Sequence, residues 1–105
     1  MSRMKEIIEK YGEEYMLRQL AEECAELAQA ALKVIRAKHK ETPMRLDEAE
    51  EKFMEELADV SVMWRGVYNH MLDEAQADYV DDMCIHKVER MYERMLDGGM
   101  EEDVW

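Results

Sequence analysis

The chain has 105 residues, enough for one domain, and sets 14 Lys and Arg against 26 Asp and Glu for a formal net charge of −12. That balance argues against nucleic-acid polymers and anionic membranes as partners, since both need cationic surface, and suits a protein that binds cations. Apolar residues make up 48% of the chain, too many for a disordered acidic tail, so a folded domain is expected. No apolar run exceeds three residues. A membrane span needs about 20 and a signal-peptide core about 7–15, so neither is predicted and the chain reads as cytoplasmic. Cys24 and Cys84 form no C-x-x-C pair and read as two buried thiols.

Four glycines and one proline punctuate the chain sparsely, and all but Gly66 fall at apparent element ends, which is the punctuation of helices. Met4 to Lys10 predicts a short helix with Ile7 and Ile8 facing inward, broken at Tyr11-Gly12. A long helix follows from about Glu13 to Lys38, with Leu17, Leu20, Cys24, Leu27, Ala31 and Val34 as its apolar seam. Residues 39–46 predict a loop around Pro43, which disfavours helix at Thr42. Asp47 and Glu50 then read as a capping box for a second long helix, whose seam is Phe53, Leu57, Val60, Trp64, Val67 and Met71. Asp73 or Asp78 is the candidate cap of a third helix, with a seam of Cys84, Val88, Met91 and Met95; since no Gly or Pro separates it from the second, one continuous helix is the alternative. Gly98-Gly99 ends it, which makes residues 1–97 the domain and 98–105 an acidic tail. The expected fold is therefore all-α: an antiparallel bundle of three long helices and a short N-terminal one, completed by oligomerisation because so short a chain cannot cover its own apolar faces. The eleven methionines read as flexible filling of that core.

The two long helices share a local pattern. Glu22-Glu23-Cys24-Ala25-Glu26-Leu27 and Glu55-Glu56-Leu57-Ala58-Asp59-Val60 match in residue class at all six positions. Residues three apart lie on one helix face, so Glu23 with Glu26, and Glu56 with Asp59, can each converge on one ion. If the Pro43 loop folds the helices back on each other, four carboxylates face one shallow site. Like charges at that spacing are unfavourable without a cation, and hard oxygen donors select Mg²⁺, Mn²⁺ or Ca²⁺. A ferritin-like di-metal site would need Glu-x-x-His, which the chain lacks, and there is no Gly-rich phosphate loop.

E-E-x-x-E on one helix and E-x-x-D on the next resembles the MazG-like all-α nucleoside triphosphate pyrophosphohydrolases. The likeness extends over Gln19 to Leu27, Glu55 to Val60 and the basic stretch His86 to Met91, roughly residues 4–96 in all. The resemblance implies a homodimer or homotetramer that cleaves a nucleoside triphosphate between its α and β phosphates, with Glu23, Glu26, Glu56 and Asp59 as ligands of Mg²⁺. Glu22 and Glu55 would be the catalytic candidates, orienting water or acting as base, unless they simply face solvent. Lys33, Lys87 and Arg90 are the candidate phosphate contacts, Lys87 foremost. Trp64 reads as core rather than as a base platform, and Asn69 and His70 as possible readers of a base edge. The competing expectation is a non-catalytic acidic helical module that binds a partner protein through Met-rich seams.

Overall fold

The computed structural model describes residues 2–98. Four helices follow in chain order: α1 (Arg3–Tyr11), α2 (Glu13–Lys38), α3 (Leu46–His70) and α4 (Glu74–Leu96), with no strand among the described residues. The all-helical expectation holds, and none of these helices is long and apolar enough to cross a membrane. The chain divides into two compact units, Met1–Met71 and Leu72–Trp105.

In the first unit, Ser2 caps α1 by accepting the Lys5 N–H at 3.1 Å, and Gly12 turns the chain into α2 with φ of +90°, a conformation that side chains resist. Ile7 is exposed and Ile8 half-buried, so α1 does not bury the pair expected of it. Instead Met4 reaches Gly66 of α3, where Met16 of α2 also arrives. A Cβ on Gly66 would stand 2.8 Å from Met16 Cε and 3.0 Å from Met4 Sδ, so a side chain there would have to displace the ends of both methionines.

α2 ends in a Schellman motif. Glu41 N–H donates to Arg36 O at 2.8 Å and Lys40 N–H to Ala37 O at 3.1 Å. Lys40 takes the left-handed position usually given to glycine, with φ of +58°. α3 starts at Leu46, one residue before the expected cap. Arg45 precedes it without a side-chain cap, and Asp47 lies inside the first turn, where it binds Arg45 at 2.9 Å. The expected Asp47–Glu50 capping box does not form because Asp47 is already helical. A full box forms later: Asp73 accepts the Gln76 N–H at 2.8 Å and Gln76 accepts the Asp73 N–H at 2.9 Å.

α2 and α3 form an antiparallel hairpin. Met16 lies by Gly66, Glu23 by Glu56 and Asp59, Ala30 by Lys52 and Glu56, and Ala37 by Leu46 and Glu50, so one helix ascends as the other descends. One covered row of α2 runs Met16, Leu20, Glu23, Leu27, Ala30, Val34 and Ala37, and one of α3 runs Ala49, Phe53, Glu56, Val60, Met63 and Val67; Gln19, Ala31 (also of the expected seam), Ser61, Gly66 and Tyr68 are covered beside them. Both rows alternate steps of three and four, the rhythm of a packed seam. They share Leu20, Leu27, Val34, Phe53, Val60 and Val67 with the expected seams. Leu17, Leu57 and Trp64 are exposed instead, and so is Cys24. The physical reason is that α2 and α3 each carry two apolar rows one residue apart, and the expected seams borrowed from both. Buried Ala30, Ala37 and Ala49 allow the helices a close approach along the row that was chosen.

The second unit holds α4 after its Asp73 box, and α4 contains no buried residue. Cys84, Val88 and Met95 are exposed and Met91 is half-buried, so the expected third seam is not a covered stripe; apolar residues such as Tyr79, Ile85 and Tyr92 are exposed around it too. Both thiols, expected to be buried, are exposed. Met16 does fill the core, fully buried, while Met54 and Met95 are exposed. Of the expected acidic tail, residues 99–105 lie outside the described residues.

Candidate metal centre

Helical geometry turns each successive residue by about 100°. In an antiparallel pair, stepping back one residue from the seam turns both helices toward the same side of the hairpin. On α2 those positions are Glu22, Glu26, Gln29 and Lys33; on α3 they are Lys52, Glu55 and Asp59, all exposed. Glu22, Glu26, Lys33, Lys52, Glu55 and Asp59 thus lie on one flank, with Glu23 and Glu56 in the seam beneath it.

Glu23 and Glu56 are the two acids inside the seam. Glu56 is 3% exposed and Glu23 half-buried. Glu23, Glu56 and Asp59 each bring a carboxylate oxygen within 4.8 Å of the other two. One oxygen of Glu23 and one of Glu56 (Oε2 in each) are buried and have no hydrogen-bond partner among the described residues. A buried acceptor without a donor is costly and uncommon in folded chains. Glu26, the fourth expected ligand, is not within that trio, but its carboxylate lies close enough to act on both Glu23 and Glu56.

The two seam acids differ in charge environment. Burial pushes the Glu23 carboxyl up, and the charges of Glu26, Asp59 and Glu56 push it further. Glu56 is held below the usual carboxylate range because Lys52 Nζ stands 2.8 Å from its Oε1, which outweighs the opposing effect of burial. The same contact raises Lys52. Lys52 was not among the candidates read from sequence. Its place four residues before Glu56 is the available signal, since such pairs meet on a helix surface.

A cleft of about 250 Å³ opens beside the acids, lined by Glu26, Gln29, Ala30, Lys33, Lys52 and Glu56. Lys33 is therefore beside the carboxylates. Glu22 is exposed and accepts from Gln19 Nε2 at 3.5 Å; Glu55 is exposed near Lys52. Lys87 and Arg90 belong to the second unit, on α4. Trp64, expected in the core, is 42% exposed and rests on Tyr68, with ring centroids 5.2 Å apart. Asn69 and His70 line a separate cleft of about 200 Å³ with Met4, Val62, Arg65 and Gly66, and His70 Nε2 stands 3.5 Å from Ser2 Oγ.

The donor set suits a hard divalent cation: oxygen only, anionic, from two rigid helices, with unpaired acceptor atoms in its midst. No family model, no curated protein and no solved structure matches the chain.

Proposed function

We propose that the chain is a Mg²⁺-dependent nucleotide pyrophosphohydrolase of the MazG-like kind, cleaving a nucleoside triphosphate between its α and β phosphates. The observation that carries the reading is the convergence of Glu23, Glu56 and Asp59, within 4.8 Å, around buried carboxylate oxygens that lack donors. Glu23, Glu56 and Asp59 hold the cation, with Glu26 beside them. Bound there, Mg²⁺ (or Mn²⁺) supplies charge neutralisation for the phosphates and activation of a water. The chain's own part is positioning. The seam fixes Glu23 and Glu56, Lys33 offers an ammonium to the phosphates across the cleft, and the exposed Glu22 and Glu55 are placed on the same flank to orient water or take its proton. Lys87 and Arg90, carried by α4 in the second unit, remain candidate phosphate-binding cations of what would be a cytoplasmic enzyme.

A homodimer or homotetramer fits the other flank of the hairpin. One step forward from the seam lie Leu17, Ala21, Cys24, Ala28, Ala31 and Ile35 on α2, and Met54, Leu57, Ser61, Trp64 and Tyr68 on α3. By the same rotation argument both rows face one side. Leu17, Ile35, Met54, Leu57 and Trp64 are all exposed, whereas only Met16 and three alanines are buried apolar residues among those described. Paired hairpins joined by these rows make a four-helix bundle. The same apolar flank also favours the second reading, a non-catalytic module that docks a partner protein.

Release of pyrophosphate from a panel of canonical and modified nucleoside triphosphates, with and without Mg²⁺, tests the enzyme reading. Glu56→Gln and Asp59→Asn should stop turnover while helicity persists. Turnover that survives both substitutions, or is absent across the whole panel, removes it in favour of the docking module.

A further inference from the structure

Lys52 belongs to two places at once. Its Nζ holds Oε1 of the buried Glu56 at 2.8 Å, yet its side chain is 55% exposed and lines the cleft shared with Lys33, Gln29 and Glu26. We propose that Lys52 is an exchange residue that couples anion binding to cation binding. It pairs with Glu56 until a polyphosphate enters the cleft beside Lys33, then turns to that anion and leaves both Glu56 oxygens to a divalent cation. The inference rests on the carboxylate centre proposed above and adds a role for a residue outside its ligand set.

The physical argument has three parts. First, a cation approaching Glu56 competes with an ammonium that already holds one oxygen and repels it, so Lys52 opposes binding of the cation alone. Second, a polyphosphate outbids a single carboxylate for that ammonium, because it carries more charge and Lys33 faces the same cleft. Lys52 can follow it at small cost: the stem is flexible and half in water, so its turning opens no part of the core. Third, once Lys52 departs, Glu56 is a buried anion without a partner, which strongly favours a cation in its place. Each ligand therefore strengthens the other, and linkage makes the effect reciprocal.

The test is calorimetric titration of the full chain with Mn²⁺ alone, with imidodiphosphate alone, and with one in the presence of the other, after correction for their association in solution. In the wild type, imidodiphosphate should tighten Mn²⁺ binding by about fivefold or more. In Lys52→Met, Mn²⁺ alone should bind more tightly than in the wild type and the coupling should vanish. Lys33→Met should weaken binding of imidodiphosphate alone, while imidodiphosphate that still binds should keep its coupling to Mn²⁺ through Lys52. If circular dichroism shows Lys52→Met unfolded, Lys52→Gln serves, since its amide keeps a donor for Glu56 without the charge. Coupling that persists without the Lys52 charge, or weaker Mn²⁺ binding in the variant, overturns the exchange role and leaves the carboxylate centre standing. A wild type that binds no Mn²⁺ in any titration overturns the centre itself.

Discussion

The two flanks of the α2–α3 hairpin differ by a rotation of two residues and by almost everything else. One carries Glu22, Glu26, Lys33, Lys52, Glu55 and Asp59; the other carries Leu17, Cys24, Ile35, Met54, Leu57 and Trp64. Both are exposed in the single chain, but for opposite reasons. The charged flank gains from water, since its acids would repel one another more strongly without it. The apolar flank loses by water contact, at about 25 cal/mol for each Å² of apolar surface left uncovered. A helix pair with one such face on each side suits an assembly that hides one flank and keeps the other open to small ions and anions. Glu23 and Glu56 sit between the flanks, where neither solvent nor apolar packing satisfies them fully.

Experiments can break this contrast at several points. The largest effect should come from the seam acids: Glu56→Gln should lower turnover by about a hundredfold or more, read as pyrophosphate release, with helicity retained. Divalent cation should stabilise the chain by about 2.7 kcal/mol at a concentration 100-fold above Kd, read as a shift in thermal melting. An equal ionic strength of monovalent salt should not reproduce that shift. On the other flank, Leu57→Ser should weaken self-association by about 2 kcal/mol, measured by sedimentation equilibrium, without changing the melting response to cation. A response of the cation shift to Leu57→Ser would show that the flanks are not independent.

The seam acids also differ in pH response. Glu23 has a raised folded-state pKa, so its ionised form is disfavoured in the folded chain; stability rises as pH falls through the window above the ordinary glutamate range. Glu56 has a lowered folded-state pKa, so its contribution is present above the ordinary range and is lost as pH falls through the window below it. The wild type should therefore show a stability maximum on mildly acidic titration, followed by a fall. Denaturant midpoints across pH should show Glu23→Gln to be more stable than the wild type at neutral pH and without the rise. The smallest effect is expected at the α2 terminus. Lys40→Gly should stabilise the chain by up to about 1 kcal/mol, since glycine accepts the left-handed conformation without a Cβ penalty.

Much of this could be read along the chain. The matching patterns at Glu22–Leu27 and Glu55–Val60 pointed to Glu23, Glu26, Glu56 and Asp59, and the structure gathers all but Glu26 into one trio. Lys52 was legible only as an i, i+4 neighbour of Glu56, one such pair among many in a chain with 38% charged residues. Asp47 and Asp73 each precede an acid or amide three residues on, but only Asp73 has the extended backbone that a cap requires; Asp47 is within the helix.

Local periodicity by itself determined the helical stretches and the register match between the two acid motifs, though not the break between α3 and α4, because helix formation depends on neighbours three and four residues away. It did not determine which of two apolar rows each helix buries. Rows one residue apart have the same period and similar hydropathy, so the choice falls to how closely two backbones can approach. Ala30, Ala37, Ala49 and Gly66 made that choice only once the helices met. With it came the placement of Glu23 and Glu56 inside the seam rather than beside it, which no single helix could encode.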